Sequence, residues 1–297
     1  MHKDLSTSPP IGISAYSDFY DQPEQKVWGD YWFKENLIKE FERSGYPVDN
    51  RSPKILLHLF GEPLAALPSD TYNILWIHSH PDRISADILK KYHKIYCISR
   101  PFTLKIISMG FDADFLMVPT NMTPAVCRKK YDIVFAGNTR QHKMRKVISD
   151  LGDAPYQVKI WGSGWKGLIP DEWYGGEYYE NARLNELYAA SRVVLNDHHD
   201  DMKREGFINP RILDVLASGG FVVSDEVLGM NELLDNSVPA YQTPKELRSI
   251  VATCISDDAG RERLAAKGRE IASQYTYAAC CNKIIKHISA LSGTLFL

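Results

Sequence analysis

The sequence predicts an α/β fold built from two Rossmann-like halves. Short β-rich runs alternate with amphipathic helical stretches almost throughout, which argues for parallel sheets covered by helices. Glycine closes several of the helical stretches, a recurring stop signal. After the linker-like Pro119–Pro124 segment, PTNMTP, the strand–helix series begins again. A chain of 297 residues sits between one domain and two, and 44% hydrophobic with 11% aromatic residues supplies a substantial core.

In the first half, strands are predicted at Ile11–Ala15, Lys54–Leu59, Asn73–Ile77, Lys94–Ile98 and Asp114–Val118. Helices are predicted at Tyr31–Ser44, Ser85–Tyr92 and Pro101–Met109, the first and last closed by Gly45 and Gly110. The second half should carry strands at Asp132–Ala136, Gln157–Trp161, Val193–Asn196, Phe221–Ser224 and Val238–Tyr241. Its helices should fall near Gln141–Leu151, Asn181–Ala190, Pro210–Ser218 and Met230–Leu234, with three more from Lys245, Arg261 and Tyr277. In open sheets of this kind, ligands gather where strand carboxyl ends run into loops.

Composition excludes some functions. A net charge of −2 without a basic block lacks the electrostatic footprint of a nucleic-acid binder. The opening MHKDLSTSPP has no apolar core of a signal peptide, and no run reaches the roughly 18 apolar residues of a membrane helix. Five cysteines, an odd number without metal-type spacing, read as reduced thiols. A cytoplasmic protein is expected, with peripheral attachment to the inner face of a membrane left open.

The most informative stretch runs from Asn209 to Asp225. Asn209 suits a helix cap, Pro210 suits the first helical position, and Gly219-Gly220 ends the helix before the strand FVVS. Amide groups at that helix start, with the planar donor fork of Arg211, suit a diphosphate. Asp214, three residues on, shares the helix face of Arg211 and could accept from ribose hydroxyls. The competing reading is an Arg–Asp pair on a solvated helix. Upstream, Asn196-Asp197-His198-His199-Asp200-Asp201 follows a buried strand; downstream, Ser224 and Asp225 follow the next one.

Over Asn181–Leu234 the order LY-A-ASRVVLN-HHDDM…N-x-R-x-x-D-x-LASGGFVVSD resembles the CgeB-type (spore-maturation-like) glycosyltransferases, within group 1 of the GT-B sugar-nucleotide enzymes. The family pattern R-x-x-E-x-L-A-C-G appears here with Asp214 and Ser218 in place of its acid and cysteine. Glu205-Gly206-Phe207 before Pro210 is similar to an E-G-F-x-x-P opening, with the acid pair spaced one residue longer, so no role is carried onto Glu205. The resemblance implies a glycine loop near the diphosphate at Gly137, Asn138 and Arg140. It also implies a G-x-G-W segment beside the base at Gly162, Gly164 and Trp165. His198 and His199 would line the sugar or phosphate pocket.

In the first half a buried strand enters His78-Ser79-His80-Pro81-Asp82, similar to an SHPD-like acceptor-side segment. His78, His80 and Asp82 are the candidates for acid–base chemistry or sugar contact; the plainer reading makes Asp82 a helix cap. Gly29-Asp30 resembles a W-G-D loop, and Trp28, Trp32 and Trp76 are candidates for stacking on sugars, although burial explains most aromatics. His78-x-His80 and His198-His199-Asp200-Asp201 could also supply metal ligands, but they fall in different halves. No metal or cofactor is expected.

The resemblance thus implies an acceptor-side domain over 1–120, a sugar-nucleotide domain over 125–276, and a last helix, 277–297, packing back on the first. Transfer would run from a nucleoside-diphosphate sugar of unspecified base to a glycan, lipid-linked or other hydroxyl acceptor, with retention preferred. Bacterial surface-glycan assembly is the expected setting. A sugar-nucleotide epimerase or hydrolase, or a non-catalytic nucleotide-sugar-binding partner, are the alternatives.

Overall fold

The structure is a computed structural model that describes residues 8–21 and 24–295. The readings of residues 1–7 and 296–297 lie outside the described residues. Two compact units emerge: residues 1–119, 200–207 and 275–297, and residues 120–199 with 208–274. The excursion Asp200–Phe207 belongs with the first unit, which nothing in the sequence announces.

In the first unit, β1 (Ile11–Ser14), β2 (Ile55–Phe60), β3 (Tyr72–Ile77), β4 (Lys94–Cys97) and β5 (Ala113–Phe115) form one sheet in sequential order, parallel throughout. Their burial explains the unbroken apolar runs: every residue of β2 is buried, including His58. Helix α1 (Gly29–Arg43) turns Phe33, Leu37 and Phe41 inward. Helix α2 is only Ala86–Leu89, shorter than the predicted Ser85–Tyr92. The hydrogen bonds of Lys91 and Tyr92 reach back three residues rather than four, tightening the chain out of an α-helix. Helix α3 (Arg100–Ser108) starts at Ser99, whose Oγ accepts from the Phe102 N–H at 3.1 Å.

The second unit contains β6 (Tyr131–Ala136), α4 (Lys146–Leu151), β7 (Val158–Trp161), β8 (Tyr174–Gly176), α5 (Leu184–Ala189) and β9 (Ser191–Asn196). Between these and its later elements, the excursion carries α6 (Asp200–Arg204). The unit continues with α7 (Arg211–Ala217), β10 (Val222–Asp225), α8 (Met230–Leu233), β11 (Ala240–Tyr241), α9 (Pro244–Ser256) and α10 (Asp258–Ala272). Its sheet is parallel in the order β11-β10-β9-β6-β7-β8. The core gathers Ile133, Phe135, Ile160, Trp165, Val193 and Val223 with Leu247 and Val251 of α9.

Helix α11 (Tyr277–Leu295) closes the chain on the first unit, packed on α1. Among the strands and α-helices of the described residues, two escaped the sequence reading. Strand β8 is a bare YGG, and α6 lies in a polar run without apolar periodicity. The helix predicted from Gln141 begins only at Lys146. Arg140 and Lys143 exchange backbone hydrogen bonds at 2.8 and 3.1 Å, and Gln141 and His142 take positive φ between them.

Candidate functional site

Strand order points to one place in the second unit. The chain enters the sheet at β6, builds outward through β7 and β8, then returns to add β9 on the other side. The switch point therefore lies between β6 and β9, where open α/β sheets bind ligands at their carboxyl ends. Gly137–Arg140 leave β6 there, and Asp197–His199 leave β9.

Three arginines converge on this spot. The Arg145 guanidinium lies 5.2 Å from the Phe135 ring centroid, forms a buried ion pair with Asp197, and donates to the Asn138 carbonyl at 3.2 Å. Arg211 covers the same ring at 5.5 Å and donates to Asn196 Oδ1 at 3.0 Å. Arg140 donates to the His198 carbonyl at 2.9 Å and approaches Asp197 at 3.7 Å. Burial lowers the proton affinity of both Arg140 and Arg211, and the neighbouring Arg145 lowers both further. Among the described residues, Arg140 Nε, Arg145 Nε, Asp197 Oδ2 and Tyr241 OH are buried without hydrogen-bond partners. The site thus sets three guanidinium groups around a single carboxylate in ion-pair contact, Asp197.

Arg211 and Asp214 do not form the simple surface pair weighed from the sequence. Arg211 reaches Asn196, whereas Asp214 Oδ1 accepts from Thr120 Oγ1 at 2.6 Å. Asn209 Oδ1 accepts from the Arg211 N–H at 3.0 Å, a cap that fixes the start of α7. Seven residues make α7 too short for its end to act alone, so side chains carry the site.

Burial raises the Asp214 carboxyl to about 6, against the hydrogen bond from Thr120 and the charge of Arg211. A raised carboxyl favours the fold while protonated, and that contribution is lost as pH rises from about 4 through 6. Asp214→Asn should therefore gain stability relative to the parent between pH 4 and pH 7, by roughly 3 °C in melting temperature. A difference in melting temperature that stays constant over this range would contradict the burial argument.

Glycines shape the loops. A Cβ on Gly137 would stand 2.9 Å from Arg211 Nη2, so the missing side chain leaves room for the guanidinium. Gly162 has φ 141°, and a Cβ there would fall 2.2 Å from the Gly137 carbonyl oxygen. The two loops are laced together by Ser163 N–H to Asn138 Oδ1 at 2.9 Å and Thr139 N–H to Ser163 O at 3.1 Å. Gly164 packs against Thr139 in the same contact.

Several of the expected site residues are buried. Trp165 is fully buried against Phe135 and donates Nε1–H to the Gly137 carbonyl at 2.8 Å; it braces the glycine loop from the core. His198 is also buried. Its Nδ1 lies 2.6 Å from Asp225 Oδ1, and its Nε2 accepts from the Asn209 N–H at 2.8 Å. Those partners engage both ring nitrogens of His198. Ser224 and Asp225 are buried in the same network, Ser224 Oγ accepting from Asn196 Nδ2 at 3.0 Å. They position Asn196 and His198. His199 is exposed. Asn196, Asp197, Arg145 and Phe135 are the members the sequence reading missed; the signal for Asn196 and Asp197 was their place at a strand end.

In the first unit, His78 and His80 follow β3. His78 meets the Phe33 ring edge-on at 5.8 Å, and its Nε2 is buried without a partner among the described residues. Burial depresses it to about 4, so it is neutral. The buried His58, likewise held near 4, has Nδ1 at 2.5 Å from the Tyr92 hydroxyl. His80 adopts a left-handed backbone, φ 53°, unusual for a non-glycine residue and typical of constrained functional turns. Asp82 pairs with Arg204 of α6; the cap of α2 is Ser85, which replaces the Asp82 cap weighed from the sequence. Glu205 pairs with Lys105 at 3.2 Å. Among the described residues, no group of three or more His, Cys, Asp or Glu side chains is arranged to hold a metal ion, and no helix is long and apolar enough to cross a membrane.

Residues 139–286 match the family model described as glycosyl transferase-like. Sucrose-phosphate synthase from Thermosynechococcus elongatus is similar in structure, with a TM-score of 0.73 at 12% identity over 96% of this chain and 99% of that one. The fold is GT-B. HepE from Anabaena, solved with UDP and glucose, aligns at TM-score 0.68 and 14% identity over 96% and 100% of the two chains. An alpha-glucosyltransferase solved with UDP and a 13-mer DNA containing a HMU base aligns at 0.66 and 12% identity over 95% and 100%. No curated protein matches. The matched segment is thus glycosyl transferase-like, and the whole chain shares the fold of these neighbours.

Proposed function

We propose that the chain transfers a glycosyl group from a nucleoside-diphosphate sugar to a hydroxyl acceptor. One observation carries the reading: Arg140 and Arg211, both partly accessible, stand at the switch point of the second unit with their charge incompletely answered by Asp197. A diphosphate supplies the missing acceptors, and charge-assisted bonds from planar guanidinium groups are the strong kind. As the bond to the sugar breaks, negative charge grows on the leaving diphosphate, and preorganised cations stabilise that change without reorganising. Asp214, held by Thr120, takes the ribose hydroxyls.

In the first unit, His80 is the group assigned to the acceptor hydroxyl, because His78 Nε2 is fully enclosed and Asp82 is paired with Arg204. Within this reading, resemblance to GT-B enzymes and their wider retaining group favours a metal-independent, retaining transfer in glycoconjugate assembly. A thermal-shift panel of UDP, GDP, dTDP and their hexose derivatives tests it, since a ligand that binds only the folded state raises the melting temperature. At least one nucleoside diphosphate should stabilise the protein at low millimolar concentration while the free nucleoside does not. A flat response to the whole panel contradicts the proposal.

A further inference from the structure

At the carboxyl end of β1, the first unit collects four aromatic side chains that are not part of its buried core. Tyr20 and Trp28 stack, centroids 5.1 Å apart and planes at 29°. Tyr16 stands edge-on to both, at 5.5 Å from Tyr20 and 5.1 Å from Trp28, and Phe19 lies 6.0 Å from Tyr16. Phe19 is 64% exposed and Trp28 36%, and the hydroxyls of Tyr16 and Tyr20 meet at 2.7 Å. A single exposed aromatic needs no explanation, but four in mutual contact form a patch.

The patch is built rather than loose. Asp18 accepts from the Ala15 N–H at 2.9 Å and from Lys34 Nζ at 2.5 Å, and Asp30 accepts from the Ser17 N–H at 2.9 Å. Trp32 Nε1 holds the Lys26 carbonyl at 3.0 Å. Behind Tyr16, a Cβ on Gly61 would come 2.7 Å from the Tyr16 Cβ, so glycine at the end of β2 is what lets the tyrosine seat. Asp30 also acts electrostatically on His78, linking the patch to the loop that carries His80.

We infer that Tyr16, Phe19, Tyr20 and Trp28 form a platform for the pyranose ring of a carbohydrate acceptor. This rests on the glycosyl-transfer reading and narrows its acceptor from any hydroxyl compound to a sugar. A pyranose offers an apolar C–H face ringed by hydroxyls. The patch offers exposed aromatic surface at Phe19 and Trp28, the hydroxyls of Tyr16 and Tyr20, and the neighbouring carboxylates of Asp18, Glu24 and Asp30. The same carboxylates disfavour an anionic membrane surface. A platform already fixed by hydrogen bonds loses little entropy when the sugar arrives.

Saturation-transfer NMR on the intact protein, with maltose, cellobiose, lactose and methyl glucosides as probes, tests the inference. At least one probe should receive saturation on its ring C–H protons. Trp28→Ala should weaken that binding about tenfold and Phe19→Ser should weaken it to a lesser degree, while Trp28→Phe retains most of it. Nucleoside-diphosphate binding, followed in the same samples, should be unchanged in all three variants, and an unchanged melting profile reports that the first unit folds. Saturation of no probe, or of probes equally in Trp28→Ala, overturns the platform even where nucleotide binding persists. Binding of phosphatidylglycerol vesicles in place of sugars overturns it too. Loss of nucleotide binding by the parent protein strikes at the glycosyl-transfer reading instead.

Discussion

Asp197→Ala is expected to destabilise the second unit by about 3–5 kcal/mol, the usual cost of stripping one partner from a buried ion pair. Arg145 is buried, and without Asp197 its charge keeps only carbonyl partners, Asn138 O and Asp197 O, each at 3.2 Å. Arg140 loses its nearest carboxylate as well, at 3.7 Å. The guanidinium groups of Arg145 and Arg211 over Phe135, with Arg140 nearby, would then repel one another with less to offset them. Chemical denaturation should show a lower midpoint with an unchanged slope. Replacing the pair together, by Arg145→Met with Asp197→Leu, should cost less than Asp197→Ala alone, because the buried Arg145 charge is no longer left without its partner. Equal or greater loss in the double variant would contradict this account of the pair.

Arg211→Ala is the second large effect expected, this time on binding. Arg211 is tied to Asn196 at one nitrogen, stacks on Phe135, and is capped in place through its own N–H by Asn209. A side chain fixed in this way meets a diphosphate without paying further ordering cost. A hydrogen bond to a charged group is worth about 1.5–3 kcal/mol, so affinity for a nucleoside diphosphate should fall about 10- to 150-fold. Arg211→Lys should recover only part of this, since an ammonium cannot reproduce the planar fork.

Most of the sheet was legible because parallel strands buried on both faces read as unbroken apolar runs, as ILLHLF of β2 and YDIVFA of β6 do. Strand β8 was not, because YGG carries no side-chain pattern and is placed by its pairing with β7. Turn chemistry hid the start of α4: Gln141 and His142 are not residues whose positive φ a sequence announces. At the site, the sequence marked the strand ends but could not say which polar groups the fold turns inward. His198 illustrates why. Its ring nitrogens are claimed by Asp225 and Asn209, 27 and 11 residues away, and only the fold brings those partners together. Trp165 is a similar case, its ring buried against Phe135. The order of strands, and hence the switch point between β6 and β9, is likewise a property of the folded sheet.

The most direct test of the donor site is a calorimetric titration of the nucleoside diphosphate selected by the thermal panel into the parent protein and into Arg211→Ala. The account expects saturable one-site binding to the parent and at least about tenfold weaker binding to the variant at unchanged melting temperature without ligand. Equal affinity in the two proteins would contradict the assignment of the diphosphate to Arg211.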